Sequence, residues 1–368
     1  MIDKLFSTHQ LNGVYRSMIE PSSFLLDRYF PLIQQAEAEE IHFDITDKCR
    51  TLAPFVSPKV AGRIVQEEGY STYTFKPAYI KIKTRIDPSA KISRAAGEQI
   101  GGTPITSSMD DAQIEEIQRQ NAVKRLMFRV NTILEDHQSR ITRRLEWMAA
   151  KALFDGAITI EGELYQTSHV NFGRNPAHRI TLPSWRNWSN PGISWKDDIE
   201  EWSLKILEET GAVARDVVVT PDVWQILKNH PTTEAFFARV QTPNPTTLQT
   251  GGPTGEGGTY LGEIDGFRVF VYTSWGKDES GIETPLLPPG TCLLLSDGIE
   301  GVRAFGAIMD HAAWGYMGNG RAEMRPVPIP TFTKSWADSD PALQWIMTQC
   351  APLVFPRRVN AMVSATVL

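Results

Sequence analysis

The sequence predicts an α+β protein, and three observations lead there. Residues 79–86 alternate cleanly, with Ile80, Ile82 and Ile86 on one face and Lys81, Lys83 and Arg85 on the other, the two-residue period of a strand. Apolar residues then recur at steps of three and four from Ile114 to Ala152, the period of a long helix. Short apolar runs fill the rest, broken by 24 Pro and 27 Gly in 368 residues, so many turns and extended connections are expected.

In chain order, residues 1–50 read as an arm with one or two short helices. Phe24, Leu25, Leu26, Tyr29 and Phe30 form an apolar cluster between Pro21 and Pro31, and the acids Glu37, Glu39, Glu40, Asp44 and Asp47 follow. Phe55–Gly62 and Gly69–Lys83 read as two arms of a β-hairpin with almost no apolar core of its own. A lone two-stranded ribbon is marginal in water, so this arm is expected to find its partner on another molecule. A link from Gly97 to Ser108 leads into the helix, whose Asp110 and Asp111 suit the positive end of a helix dipole. The helix is expected over 110–155, stopping at Asp155-Gly156, and spans roughly 60 Å at 1.5 Å per residue. It has no sustained heptad seam, so a spine lying on a sheet fits better than a coiled coil.

Beyond the helix, Ala157–Ile160 and the run from Leu164 read as a strand pair turning at Glu161-Gly162. A loop rich in Trp and Pro (Trp185, Trp188, Pro191, Trp195) precedes a second helix, opened by Asp197-Asp198 and closed by Gly211. Val217–Val219 is a buried strand, Pro221-Asp222 starts a helix, and Gly251–Gly258 is a flexible loop. Phe267–Tyr272 and Cys292–Leu295 are strands. From Leu343 a helix is expected, giving way to Leu353–Phe355 and a final strand over Ala361–Leu368.

The composition, 41% hydrophobic and 22% charged, is that of an ordinary globular protein. Cys49, Cys292 and Cys350 are widely spaced and odd in number, which reads as a reducing cytoplasm rather than a disulfide framework. The N-terminus lacks a signal-peptide pattern, and no apolar run approaches a bilayer span, so no membrane partner is expected. The net charge of −6 argues against a nucleic-acid binder. Its distribution is uneven: residues 54–95 hold eight bases against three acids, whereas 212–330 hold thirteen acids against eight bases. The basic segment is suited to docking on acidic surfaces of other copies.

Catalytic chemistry finds little support. The Gly251–Thr259 loop has no Gly-Lys-Ser/Thr ending, and its one charge, Glu256, would repel phosphate. The seven histidines show no pair at metal-binding spacing; His137, mid-helix beside the apolar stripe, reads as packed or partner-facing. No Gly-x-Ser-x-Gly elbow or cysteine-protease signature occurs. The ten Trp are read as core and interface anchors in preference to a glycan site. No cofactor, metal or catalytic residue is expected.

The motif Val56-Ser57-Pro58-Lys59-Val60-Ala61-Gly62, with Gly69 to Lys83, resembles the major capsid proteins of lambda-type tailed bacteriophages, the capsid protein E family. Val217–Pro221 with Trp224, Arg303–Asp310, Lys334-Ser335-Trp336 with Asp340-Pro341, and Gln349–Leu353 continue the resemblance in order. The resemblance implies the Hong Kong 97-type (HK97-like) capsid fold, with an N-arm, an extended β-hairpin loop, a long spine helix, and peripheral and axial domains. On that pattern 1–53 is the N-terminal arm, 54–96 the hairpin loop, and 97–211 the peripheral domain with its spine helix over 110–155. Residues 212–330 form the axial domain and 331–368 return to the peripheral one.

The function implied is structural: homo-pentamers and homo-hexamers closing an icosahedral head around double-stranded DNA held without sequence-specific contacts. The protein is then a virion component assembled in the host cytoplasm, with a portal and a scaffolding protein as partners. The chain begins directly with its arm, so the scaffold is expected to be a separate protein. The family also implies a decoration protein at threefold positions. Arm and hairpin lie over neighbouring subunits in such shells, which places inter-subunit contacts at Phe24, Tyr29, Ser57, Pro58, Lys76, Tyr79, Lys81, Lys83 and Arg85. Some capsid proteins of this fold cross-link a hairpin Lys to an Asn; here Lys76, Lys81, Lys83, Lys91 and Asn360 are the candidates. No Asp or Glu follows Asp340 to accept the proton, and the lambda-type family is generally not cross-linked. The rival readings are an encapsulin-like compartment shell and a monomeric enzyme or glycan-binding protein.

Overall fold

The structure is a computed structural model and describes residues 7–46, 70–86, 110–162, 165–233, 257–277, 281–316, 325–339 and 342–368. The chain forms two compact units, each discontinuous in sequence. One comprises Met1–Pro21, Tyr79–Thr142 and Ile308–Ala351; the other comprises Ser22–Ala78, Arg143–Ala307 and Pro352–Leu368.

The first unit is built on an antiparallel sheet in the order Phe332–Ser339, Ala342–Cys350, Ile80–Ile86. The register aligns Ser335, Ile346 and Thr84 on one face and Trp336, Trp345 and Arg85 on the other. Ile86 and Ile346 are buried on the inner face, joined by Leu11 and Tyr15 of helix Thr8–Ser17 and by Val130, Ile133 and Leu134 of the long helix. The small helix starts where Ser7 Oγ accepts the Gln10 N–H at 3.3 Å, an N-cap. Its Asn12 side chain donates to Thr333 O at 2.8 Å and accepts from Thr333 N–H at 2.9 Å, satisfying part of an edge strand's backbone. A second apolar cluster gathers Ile308, Ala313, Val327, Ile329 and Phe332.

The long helix runs Asp111–Asp155, 45 residues or about 68 Å. It ends at Gly156, whose φ of +68° is the left-handed conformation that glycine adopts without strain. The residues through Thr142 belong to the first unit and those from Arg143 to the second.

The second unit centres on a six-stranded mixed sheet in the order Arg179–Thr181, Met362–Thr366, Thr291–Ser296, Ala214–Val219, Phe267–Tyr272, Gly258–Ile264. Val217–Val219 and Leu293–Leu295 are wholly buried, which explains why these strands read as continuous apolar runs rather than alternating ones. Leu32–Gln35, Gly301–Phe305 and Pro352–Pro356 make a smaller sheet. Helix Trp195–Thr210 begins at Ser194, whose hydroxyl accepts from Asp197 N–H, and ends at Gly211 with φ +75°. The tryptophans around it pack together: Trp188 stacks on Trp202 at 5.8 Å and gives its indole N–H to Asp198 at 2.9 Å. The Trp-rich stretch is therefore mostly core, with Trp185 left outside at 71% exposure.

Two sequence expectations are corrected. Residues 342–350, expected as helix, form a strand, because pairing on both sides satisfies its backbone and buries Ile346 and Thr348. The hairpin arm Gly69–Lys83 is two strands, Tyr70–Phe75 and Ile80–Ile86, separated at Pro77. Each finds a partner within this chain: Ile41–Thr46 for the first, Ala342–Cys350 for the second. The other expected arm, Phe55–Gly62, and most of the Gly251–Gly258 loop lie outside the described residues.

Candidate assembly surface

The strand Ile80–Ile86 sets the geometry of a cationic face in the first unit. Its pleat turns Ile86 into the core and sends Lys81, Lys83 and Arg85 outward, all three exposed. Register places Trp345 and Trp336 beside Arg85, and Met347 and Lys334 beside Lys83. Lys83 Nζ lies 3.8 Å from the Trp345 ring centroid and 5.0 Å from that of Trp336, so one ammonium bridges two indoles. Lys334 Nζ stands 5.6 Å from Trp336 and bonds the Asp310 carboxylate at 2.6 Å. Burial opposes ionisation of Asp310, yet Lys334, the Gln349 side chain and the Ala312 N–H together hold its carboxyl below the ordinary range. Trp345 gives its N–H to Asp338 at 2.7 Å. The result is a cationic face with an aromatic floor. The lysine alternation was legible in sequence; the indoles were not, because they arrive from two other strands.

The remaining expected contact residues have distinct fates. Tyr79 accepts the Met309 N–H at 2.9 Å, and Lys81 Nζ lies 4.9 Å from the Tyr79 ring. Lys76 is paired with Glu39. Ser57 and Pro58 lie outside the described residues. Phe24 and Tyr29 point inward: Phe24 packs at 5.2 Å on Phe270, and Tyr29 gives its hydroxyl proton to Asp216 at 2.8 Å. Burial within the chain accounts for their apolar character without a neighbouring subunit.

Two buried carboxylates hold that segment of the arm in the second unit. Glu146 accepts the Leu25 and Leu26 N–H groups at 3.0 and 2.8 Å and the Tyr272 hydroxyl at 2.9 Å, capping helix Phe24–Tyr29 from a distant helix. Burial pushes its carboxyl above the usual range despite those three donors. Asp216 takes Arg28 Nε and Arg268 Nε at 2.6 Å each. At the other end of the helix, Arg303 donates to Leu26 O and Phe30 O. Neither carboxylate was singled out from sequence, since their partners are more than fifty positions away.

Asn360 has a carboxylate neighbour from elsewhere in the chain, its amide N–H bonding Glu209 at 2.8 Å, while the C-terminal segment itself carries none. Glu209 also receives His178 and Asn175, so the cluster is a satisfied structural network. His137 is packed, its two ring nitrogens 2.8 Å from Thr84 Oγ1 and 3.0 Å from Thr348 Oγ1. A groove of about 470 Å³ in the second unit is lined by Trp147, Lys151, Asp155, Arg174 and Arg179 among others; Lys151 and Arg179 pair with Asp155, and Arg174 donates to the Leu153 and Phe154 carbonyls. Among the described residues no group of three metal-ligating side chains occurs, and no helix is long and apolar enough to cross a membrane.

The family model described as phage major capsid protein E matches residues 7–367. The chain is 25% identical over 354 residues to the P21 prophage-derived major head protein of Escherichia coli O6:H1 strain CFT073, covering 95% of each. It is 23% identical over 351 residues to the major capsid protein of Escherichia phage lambda, again covering 95% of each. The crystal structure of a prophage capsid protein from Escherichia coli CFT073 superposes with a TM-score of 0.69 at 21% identity, covering 98% of this chain and 99% of that one. The fold is thus that of Hong Kong 97-type capsid subunits, and with the family model spanning all but the first six residues and the last, the chain belongs to the phage major capsid protein E family.

Proposed function

We propose that this chain is the shell-forming subunit of a tailed-phage head, assembling as pentamers and hexamers into a closed icosahedral container for double-stranded DNA. The observation that carries the reading is the family match over residues 7–367. The physical means is distributed contact. An exposed ion pair contributes about 0–1 kcal/mol, so single contacts break easily while many in a lattice hold. Weak contacts let misplaced subunits leave; summation stabilises the finished shell.

Of the residues expected at subunit contacts, Lys81, Lys83 and Arg85 have the exposure for the task, whereas Phe24 and Tyr29 serve the interior. In this reading 97–211 with 331–368 is the peripheral region and 212–330 the axial one. A separate scaffolding protein, a portal and a decoration protein complete the assembly, which takes place in the host cytoplasm. The test is negative-stain electron microscopy of the chain produced with the products of its neighbouring genes. Closed shells or hexameric rings are expected; uniform particles near the monomer mass of 41.2 kDa would overturn the reading.

A further inference from the structure

The cationic sheet face has a complement elsewhere on the same chain. Alternate residues of a strand stand about 6.7 Å apart, so the row from Lys81 to Arg85 spans about 13 Å. Its two indoles already carry ammonium groups, Lys83 over both and Lys334 over Trp336, so their faces are not bare for stacking bases. With the chain at net −6, an acidic protein surface suits this face better than nucleic acid.

Helix Trp195–Thr210 supplies such a surface: Asp197, Glu200, Glu201 and Glu208 are exposed along it beside Lys196 and Lys205, whereas Asp198 is buried against Trp188 and Glu209 is taken up by His178, Asn175 and Asn360. Glu200, Leu204 and Glu208 follow at four-residue steps on one exposed stripe, Leu204 being 56% exposed. At 1.5 Å per residue the two carboxylates lie about 12 Å apart with the leucine between them. Leu207, 38% exposed, widens the apolar part. The nearby cations are drawn elsewhere as well: Lys196, 3.7 Å from Glu200, also pairs with Asp265, and Lys205 bonds Glu201 at 2.9 Å. Spacing and sign therefore match: the two carboxylates of the stripe stand about as far apart as Lys81 and Arg85, the two cations that flank Lys83 on its indoles.

We propose that the Glu200–Leu204–Glu208 stripe of one copy docks on the Lys81–Lys83–Arg85 face of a second copy. The inference rests on the shell-subunit reading and names one of its contacts. Because the two surfaces differ, the contact can repeat head to tail from copy to copy, closing a ring or extending a lattice.

The test uses the full chain produced with the products of the adjoining genes, with particles quantified by sedimentation and viewed by electron microscopy. Lys81→Glu with Arg85→Glu reverses the sheet face while leaving Lys83 between its indoles; Glu200→Lys with Glu208→Lys reverses the stripe. Each double variant is expected to lower the yield of shells at least about tenfold, since like charges then face each other. The quadruple variant is expected to regain most of it. Circular dichroism and melting of the unassembled chains separate lost assembly from lost folding. Wild-type shells together with normal assembly of the sheet-face variant would overturn the inference and leave the shell reading standing. So would a folded quadruple variant as defective as the doubles. Normal shells of the sheet-face variant that hold less DNA would assign the face to nucleic acid, also against the proposal. Absence of wild-type shells would remove the shell reading and this inference with it.

Discussion

His137 makes the first unit acid-sensitive in a calculable way. The imidazole is fully buried between Thr84 and Thr348, and the Thr348 hydroxyl continues to Thr333 at 3.2 Å. A neutral ring satisfies both neighbours by donating at one nitrogen and accepting at the other. Burial lowers its pKa from 6.5 to about 4, with Asp136 opposing that shift and Arg140 adding to it. The folded state therefore binds fewer protons than the unfolded state between those values. Stability from the neutral ring is complete above about pH 6.5, falls as pH drops towards 4, and changes no further below that. At pH 4.5 the linkage amounts to about 2.5 kcal/mol, at 1.36 kcal/mol per pKa unit. His137→Gln keeps a donor and an acceptor but cannot titrate. Urea unfolding of the unassembled chain, with hydrogen exchange over Val130–Ile141 as a local probe, should show wild type losing about 2.5 kcal/mol more than the variant between pH 7 and 4.5. Carboxylates titrate equally in both proteins and cancel. Equal losses would refute the reasoning.

Four further outcomes concern single side chains, three in the second unit and one, at Gly315, in the first. Gly301→Ala places a methyl group 2.2 Å from the Tyr29 carbonyl oxygen and 2.4 Å from the Phe30 ring, so a loss of about 3 kcal/mol or failure to fold is expected by thermal melting. Gly315→Ala, with nothing near its added Cβ, should melt like wild type on steric grounds. Asp216→Asn leaves Arg28 and Arg268 without their shared carboxylate and should cost about 3 kcal/mol in urea unfolding. Glu146→Gln turns an amide N–H towards donors that now meet a carboxylate oxygen; about 1–3 kcal/mol is expected, with faster hydrogen exchange at Leu25 and Leu26.

Local signals were legible in the sequence where local forces decide the structure. The long helix matches its expected bounds to one residue at the start, because its periodicity is sustained and Gly156 stops it. The strand over 342–350 was misread for an equally local reason. Leu343, Ile346, Met347 and Cys350 fall at helical spacing, and only pairing with Phe332–Ser339 and Ile80–Ile86 selects the two-residue period instead. The cationic row was visible as alternation, but its indole floor depends on strand register. The clamp on helix Phe24–Tyr29 joins residues 121 and 188 positions apart, and nothing in a single sequence marks such a pair.

The pairing of Ile80–Ile86 inside the chain changes how assembly specificity can arise. A hairpin lacking partners would recruit neighbours through open backbone groups, a contact almost indifferent to side chains and prone to uncontrolled strand addition. Here one side of the strand is already paired with Ala342–Cys350, and a lysine or arginine stands at every outward position from 81 to 85. Charged outward side chains guard an edge strand against indiscriminate pairing. On the proposed docking, the same three cations would select among partners by charge, which backbone bonds cannot do. Selection by charge has a price in salt: the screening length is about 8 Å at 0.15 M and about 3 Å at 1 M. Subunit association through this face should therefore weaken steeply with ionic strength, whereas association through an open backbone ladder would hold nearly constant. A salt titration of shell formation thus separates the two modes, and a flat response would place specificity outside the cationic face.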